Sequence, residues 1–465
     1  MKTKLLLKLF ALFSSVLFAL GGTAESVIGF TEGEPITATK REYCFDRDKL
    51  LIGAYYGDTD HIDEASEAGI NFFIESSVDE EFLDRCQEYG IGVIAGGYNL
   101  PTGYAELPDS IKDKWVNFDY SQYKDHPALW GDDLIDEPTA GAYDNIAASL
   151  SAYYENTTGK LALVNLFPSY ASEEQLQEFP QKSSKRDFFL ATSDNGTGSG
   201  LPYKMYVSDY INKIDTDYIC VDIYPYYSKQ NSLGKEVKHT GKSWIRNLDI
   251  LAEACRGTQR DLWVITQAAG ETKNGAEGDG PRWCDEVTDI RQQAYASLAF
   301  GAKAIIHAEF SAKGWWDAEH SHMIDIDGNT TQTYDAVKTV DAELAAFAEK
   351  YGKYEYESTY MINPLRVAGT GGGELAVTVP CKAIDIKSPD GLLVGTFKSN
   401  RGKAFIVANM NELNLKDSAV FTYTAPNGGM TVYQQGEKSF YAGGTPALIK
   451  LEPGEGVFIT APGLK

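Results

Sequence analysis

The sequence predicts a (β/α)8 TIM barrel followed by a small C-terminal antiparallel β-sandwich domain. Eight short apolar runs alternate with segments of helical period between about residues 50 and 311, as in a parallel sheet wrapped by helices. From about residue 356 the pattern changes to short alternating strands separated by turn signals. The 465 residues leave room for both units. We therefore divide the chain into a leader (1–24), a catalytic barrel (44–355) and a β-sandwich domain (356–465).

Residues 1–24 have the layout of a secretory signal peptide. Three lysines precede an apolar stretch from Leu9 to Leu20, and small residues follow as far as Ala24. The stretch is shorter than the roughly 20 apolar residues that a membrane span needs. We expect cleavage near Ala24, a secreted, extracellular protein and no membrane association beyond export.

The eight apolar runs are the predicted barrel strands. In chain order they begin at Leu50, Ile70, Ile91, Ala128, Leu161, Tyr218, Leu262 and Ala302. Between them lie segments with apolar residues three and four apart, the spacing of an amphipathic helix. These helical segments begin at Asp79, Tyr203, Ser243, Asp289 and Tyr334.

The C-terminal region predicts six strands of the sandwich. Each is a short run of alternating apolar and polar residues bounded by Gly, Pro, Asn or Asp. The runs begin at Glu374, Asp390, Lys403, Ala419, Met430 and Gly454.

Composition excludes several classes of partner and cofactor. With 42 Lys and Arg against 66 Asp and Glu, the formal net charge of -24 would repel nucleic acid and anionic membranes. Six cysteines without CxxC spacing and six histidines without i, i+4 pairs argue against a metal site, and we predict no cofactor. Aromatic residues form 12% of the chain, which suits stacking on sugars. The oligomeric state is left open, as is the presence of disulfides.

Polar residues occupy the C-terminal ends of the predicted strands, where barrels of this type build their active sites. These residues are Glu75, Asp136, Glu137, Asn165, Asp222, Gln267 and Glu309. We call the end of the barrel where these strand ends meet the crater. Burying several carboxylates there is unfavourable unless they bind a ligand or hold a proton. Two carboxyl groups of different pKa are what glycoside hydrolysis requires, one as general acid and the other as base or nucleophile.

Four segments carry a family resemblance. They are WGDDLIDEP from Trp130, VDIYPY from Val221, RQQAYASLAFGAKAIIHAEF from Arg291 and MIDIDGNTTQTYDAVKTV from Met323. Together they resemble the clan of (β/α)8 glycoside hydrolases that includes the family 42 β-galactosidases. In that clan a Glu before Pro at the end of strand four is the general acid/base, and the resemblance assigns this role to Glu137.

The sequence departs from the clan pattern at two positions. Asp136 stands where the clan usually has Asn, and Gln267 stands where a nucleophilic Glu ends strand seven. An amide cannot replace a carboxylate nucleophile, so the clan's second catalytic residue does not carry over. Asp136 and Asp133 are like-charged neighbours, and if Asp136 is buried close to Glu137, repulsion should raise the pKa of one of the two.

Three residues could supply the second carboxylate: Asp222, Glu309 and Glu271. We favour Asp222, because strand alternation places it on the same side as Tyr224, whose ring suits a sugar site. An ion pair at the barrel rim is the alternative role for Asp222. Trp315 and Trp316, in the loop after strand eight, are candidate platforms for sugar stacking.

The sequence therefore predicts a secreted glycoside hydrolase that cleaves O-glycosidic bonds of oligo- or polysaccharides. Its predicted catalytic residues are Glu137 and Asp222. Its predicted substrate contacts are Asp136, Asn165, Tyr224, Gln267, Glu309, Trp315 and Trp316. The alternative is a carbohydrate-binding barrel that has lost hydrolysis, which Gln267 in the nucleophile position favours. Retention or inversion at the anomeric carbon is left open.

Overall fold

The computed structural model describes residues 34–75, 78–96, 123, 125–172, 175–176, 201–230, 232–234, 236–269, 284–312, 322–370 and 386–464. Within these ranges, eight parallel strands close into a barrel in the order β1-β10-β9-β6-β5-β4-β3-β2. They are β1 (Leu51–Tyr55), β2 (Phe72–Glu75), β3 (Gly92–Ala95), β4 (Leu129–Asp136), β5 (Leu161–Leu166), β6 (Tyr218–Ile223), β9 (Asp261–Gln267) and β10 (Ala302–Ala308). Every predicted apolar run contains one of these strands, so the barrel is confirmed.

Helices surround the barrel. They are α1 (Ile62–Ala68), α2 (Glu80–Glu88), α3 (Tyr143–Asn156), α4 (Leu201–Lys213), α5 (Trp244–Thr258), α6 (Val287–Ala299), α7 (Gln332–Ala345) and α8 (Ala348–Gly352). Helix α2 begins with a side-chain cap: the Asp79 carboxylate accepts a hydrogen bond from the Phe82 N–H (2.8 Å). A short antiparallel hairpin, β7 (Tyr226–Gln230) with β8 (Glu236–Thr240), follows β6.

Two apolar layers hold the barrel together. One fills its interior and includes Leu51, Phe72 and Trp263; the other lies between the strands and the helices. Trp130 belongs to the interior layer, where its ring stacks on Phe45 at a centroid distance of 4.5 Å. Large side chains at the amino-terminal end thus plug the barrel and leave the opposite end for polar groups.

The C-terminal region forms a β-sandwich. Six strands make one sheet in the order β11-β12-β13-β18-β15-β16, and β14 pairs with β17 opposite it. The strands are β11 (Glu355–Ile362), β12 (Leu392–Ser399), β13 (Gly402–Asn409), β14 (Ala419–Thr424), β15 (Met430–Gln434), β16 (Glu437–Tyr441), β17 (Pro446–Leu451) and β18 (Gly456–Pro462). Five of the six predicted runs contain a strand, and the run from Glu374 lies outside the described residues.

The larger sheet packs its outer face on the barrel. Phe397 and Phe458 stand on this face and contact the ring of Tyr351 from α8 at centroid distances of 5.3 and 5.8 Å. Gly395 lies directly over α6, where a β-carbon would come within 2.1 Å of the Ala299 carbonyl oxygen. The barrel and the sandwich therefore share one continuous core, and only glycine permits this close approach of β12 to α6.

The predicted leader, 1–24, lies outside the described residues. Among the residues that are described, no helix combines the length and the apolar character needed to cross a bilayer. In the same part of the chain Cys44, Cys86, Cys220, Cys255 and Cys284 are free thiols.

Candidate active site

One amide group holds two carboxyl groups together at the carboxyl ends of the strands. Asn165 lies at the end of β5, opposite Asp136 in the register of β4 and β5. Its Nδ2 atom donates to Oδ1 of Asp136 (2.8 Å) and to Oδ1 of Asp222 (3.2 Å). Asp222 and Asn165 are buried, with 7% and 2% of their surface exposed. The structure thus brings together three residues that the strand ends predict to share a site.

Glu137 follows Asp136 in a strained backbone conformation. Its φ angle is 45°, in the left-handed region, and Pro138 comes next in the chain. This region is unfavourable for a glutamate, and a residue before proline normally stays extended. The Glu137 N–H donates to the Asn165 carbonyl (2.9 Å), and the Tyr206 hydroxyl donates to the Pro138 carbonyl (2.7 Å), which fixes this turn. Backbone strain held by its surroundings is characteristic of functional sites.

Tyr224 lies near several carboxyl groups of the crater. Its pKa is raised well above the usual value, first by burial and then by the negative charges of nearby groups that include Asp222, Asp136 and Glu137. Its N–H donates to the Tyr170 hydroxyl (3.2 Å), and the Tyr170 ring is 43% exposed. The two predicted catalytic residues, Glu137 and Asp222, are therefore both near enough for their charges to act on the Tyr224 hydroxyl.

Tyr56 lies near a second set of acidic groups. Burial raises its pKa to about 12, with further contributions from the charges of Glu309, Asp136, Glu75 and Asp133. Glu309 is 1% exposed, and its Oε2 atom lies 3.6 Å from Nδ1 of His322. Glu309 is therefore placed in the crater with Asp136.

Several crater residues were not predicted from the sequence. Tyr55 is the last residue of β1, Tyr56 follows it, and Tyr170 follows the fifth apolar run. Their position at or just after the end of a barrel strand is the only sequence feature that could have indicated them. His322 follows a segment outside the described residues, and the sequence gives no sign that it approaches Glu309.

Asp133 is a buried carboxyl group beneath the crater. The pairing of β4 with β5 is irregular between Asp133 and Ile135, so the strand does not keep simple alternation there. The Oδ1 atom of Asp133 is buried and has no hydrogen-bond partner among the described residues. Burial, with added repulsion from Asp136 and Asp132, raises its pKa to about 8. Asp133 therefore keeps its proton at neutral pH.

Asp136 occupies a more open position. Its side chain is exposed, yet many protein atoms lie around it. This desolvation raises its pKa, although the hydrogen bond from Asn165 acts in the opposite direction. Repulsion between neighbouring acids thus contributes at Asp133, whereas the rise at Asp136 comes from burial, and the repulsion expected between Asp136 and Glu137 stays a prediction.

The proton on Asp133 makes stability depend on pH. In the unfolded chain this carboxyl loses its proton near its ordinary pKa of 3.8, whereas the folded chain keeps it to about pH 8. Since the folded state binds more protons in that window, stability falls as pH rises from about 4 to about 8. We expect Asp133→Asn to remove a slope of up to about 1.4 kcal/mol per pH unit.

Urea unfolding of both proteins at pH 5, 6, 7 and 8 measures this slope. Asp327→Asn is the control, because Asp327 is an exposed carboxyl in the turn before α7. Parallel stability curves for the wild type and Asp133→Asn would contradict the assignment.

Gln267 is held by hydrogen bonds at the end of β9. It ends β9 as predicted, but it is completely buried, and its Oε1 accepts from the Tyr226 N–H (3.1 Å) while its Nε2 donates to the Tyr226 carbonyl (3.3 Å). Its own N–H donates to Oε1 of Gln293 (2.9 Å). No atom of the side chain is open to a ligand in this conformation, and its role here is to hold the chain after β6.

Three candidates from the sequence, Glu271, Trp315 and Trp316, lie outside the described residues. Over the described ranges, no group of three or more His, Cys, Asp or Glu side chains has the arrangement needed to hold a metal ion. The crater is therefore defined by carboxyl, amide and phenol groups.

No protein-family model and no curated protein matches the chain. Among solved structures, a β-galactosidase from the psychrophilic Marinomonas ef1 is similar, with 12% identity and a TM-score of 0.43 over 65% of this chain and 60% of that chain. A catalytic mutant of a family 42 β-galactosidase from G. stearothermophilus has 9% identity and a TM-score of 0.44, over 89% and 100% of the two chains. A family 5 glycoside hydrolase from Bacteroides vulgatus has 10% identity and a TM-score of 0.48, over 90% and 92%. Identities this low transfer neither a substrate nor a catalytic residue to this chain.

Proposed function

We propose that this protein is a glycoside hydrolase that cleaves O-glycosidic bonds of oligo- or polysaccharides in the crater. The observation that carries the proposal is the Asn165 amide group, which holds the carboxyl groups of Asp136 and Asp222 side by side, next to the strained turn at Glu137. Acid/base cleavage of a glycosidic bond needs carboxyl groups that converge in this way.

In the proposed mechanism, Glu137 donates a proton to the leaving oxygen. Asp222, which accepts a hydrogen bond from Asn165, attacks the anomeric carbon or activates water. The neighbouring Asp133, whose pKa is raised to about 8, adds less negative charge to the crater at neutral pH than a free carboxylate would. The exposed ring of Tyr170 offers a face on which a sugar can stack.

Substitution of Asp222 tests the proposed base or nucleophile. We expect Asp222→Asn to lower kcat on a responsive glycan by about 10²-fold to 10⁴-fold, because the amide can neither attack nor take a proton. The measurement is the steady-state rate of reducing-end release. Asp417→Asn is the control, since Asp417 is an exposed residue in the loop before β14 of the C-terminal region. An undiminished rate in Asp222→Asn would remove Asp222 from the mechanism.

A carbohydrate-binding barrel without hydrolysis is the second candidate function. The observation that favours it is Gln267, which supplies no carboxylate at the end of β9 and whose amide is bonded to the backbone of Tyr226. Calorimetry with an oligosaccharide panel separates the two functions. Binding without any product after long incubation would support the non-hydrolytic barrel.

Export is part of the proposed function. The charge and apolar pattern of residues 1–24 supports removal of a signal peptide near Ala24 and release of the mature protein outside the cell. N-terminal sequencing of the protein recovered from the medium, after expression of the full chain, tests this.

A further inference from the structure

A large groove lies at the end of the barrel opposite the crater. It runs between the amino-terminal ends of β9 and β10, helix α8 and the larger sheet of the sandwich, and Leu262, Gly301 and Thr431 mark its three sides. Its volume is about 1340 Å³. This exceeds the roughly 300 to 1,000 Å³ of typical small-molecule pockets, so the groove has room for a segment of a polymer.

The groove is basic in a strongly acidic protein. Eleven Lys and Arg residues line it against three acidic residues, whereas the whole chain has 42 Lys and Arg against 66 Asp and Glu. The cations come from distant parts of the sequence, including Lys40 before the barrel and Lys438 in the sandwich. Folding thus concentrates a quarter of the chain's cations on one surface.

The cations of the groove fall into two sets. The deeper ones serve the fold: Arg47 pairs with Asp217 and Asp261, and Arg260 donates to the carbonyls of Ile36, Ile214 and Thr216. These groups are committed to partners and are not available to a ligand.

The outer set forms the rim. Lys40, Lys350, Lys353, Arg401 and Lys438 are all exposed. Across the described ranges, none of these five is in an ion pair. Exposed like charges on one surface repel one another, and an anionic ligand relieves that repulsion.

The lining also indicates the kind of anion. Tyr354 and Tyr433 are each only 8% exposed, so their rings offer little surface for the stacking of unpaired nucleic-acid bases. A protein partner generally needs a central cluster of apolar or aromatic anchors, and the exposed side chains of the rim are mostly charged or polar. A polysaccharide with regularly spaced carboxylates requires only a row of cations.

We propose that this groove, the rim groove, binds an acidic polysaccharide through its carboxylate groups. The site is separate from the crater, since the two lie at opposite ends of the barrel strands. Binding of the polysaccharide in the rim groove holds the protein on an anionic glycan. This binding does not depend on catalysis in the crater.

Binding of polygalacturonate tests the proposal. The variant Lys350→Gln/Lys353→Gln/Arg401→Gln removes three rim cations, and Lys242→Gln/Lys416→Gln/Lys450→Gln is the charge-matched control, since none of its residues lines the groove. Affinity electrophoresis and calorimetry at 50 and 200 mM salt give the dissociation constants. We expect the rim variant to bind at least about tenfold more weakly, the control to bind as the wild type, and the affinity to fall with salt.

Three outcomes would overturn the proposal: no binding of polygalacturonate by the wild type, equal binding by the rim variant, or equally tight binding of polyglutamate or single-stranded DNA. The last outcome would identify a general polyanion surface or another class of partner. Thermal unfolding of each variant verifies that it folds. Because binding is measured with Glu137→Gln as well, loss of the rim groove and loss of the proposed hydrolysis are distinguishable.

Discussion

Glu137→Gln is expected to lower kcat for glycosides with poor leaving groups by about 10³-fold, within the range of 10²-fold to 10⁴-fold that general acid catalysis contributes. The amide keeps the size of the side chain and the turn fixed by the Asn165 carbonyl, but it has no proton to give to the leaving oxygen. The loss should appear in kcat more than in KM, because the proton transfer belongs to the transition state.

The leaving group provides the sharper test of Glu137. A nitrophenolate leaves without protonation, whereas a sugar alkoxide does not, so Glu137→Gln should affect a dinitrophenyl glycoside far less than the corresponding disaccharide. Single-turnover rates on the two substrates measure the difference. Glu88→Gln, an exposed change on α2, is the control. Equal losses on both substrates would mean that Glu137 positions other groups and is not the acid.

The strands of the barrel could be predicted because parallel strands are buried on both faces. β5 and β6, for example, are buried at every position, and such strands read as continuous apolar runs. In the sandwich the same approach fails for three strands. β16 (Glu437–Tyr441) is almost wholly exposed, β17 (Pro446–Leu451) begins with proline, and β11 (Glu355–Ile362) carries polar residues along most of its length. Neighbouring strands, and not local preference, hold these three in place.

The sequence predicts which residues lie at the strand ends of the candidate site, but it does not predict the contacts between their side chains. Parallel register brings Asp136 and Asn165 level with each other, and this follows from the fold. The sharing of one amide by Asp136 and Asp222 depends on side-chain positions across two strands, which no spacing in the sequence encodes. The irregularity at Asp133 likewise breaks the period on which a prediction from alternation rests.

Gln267 shows why position on a strand does not establish a role. Alternation along β9 from Trp263 and Ile265 directs residue 267 toward the barrel interior, yet its amide is engaged by the backbone of Tyr226 from the chain beyond β6. Gln293, on α6, completes the arrangement by bonding both the N–H and the carbonyl of Gln267. Contacts between segments 26 to 41 residues apart determine where this side chain points.

Gln267→Glu is therefore expected to destabilise the protein without improving hydrolysis. The Nε2 donor to the Tyr226 carbonyl would be replaced by a second carboxylate oxygen, so two acceptors would face each other in a fully buried position. A buried polar group left without its partner costs about 1 to 3 kcal/mol, and more when it is charged. The new carboxyl should relieve part of this by keeping its proton, which raises its pKa and makes the loss of stability grow as pH rises.

Urea unfolding at pH 5 and pH 8 measures the effect of Gln267→Glu, with Gln87→Glu on the exposed face of α2 as the control for an added charge. We expect a loss of about 3 kcal/mol at pH 8, a smaller loss at pH 5 and no change in the control. A gain in glycoside hydrolysis would contradict this interpretation, because it would require the new carboxylate to reach the crater. Loss of stability without such a gain would agree with our proposal that the second catalytic carboxylate is not at the end of β9 but is Asp222, which is held by Asn165.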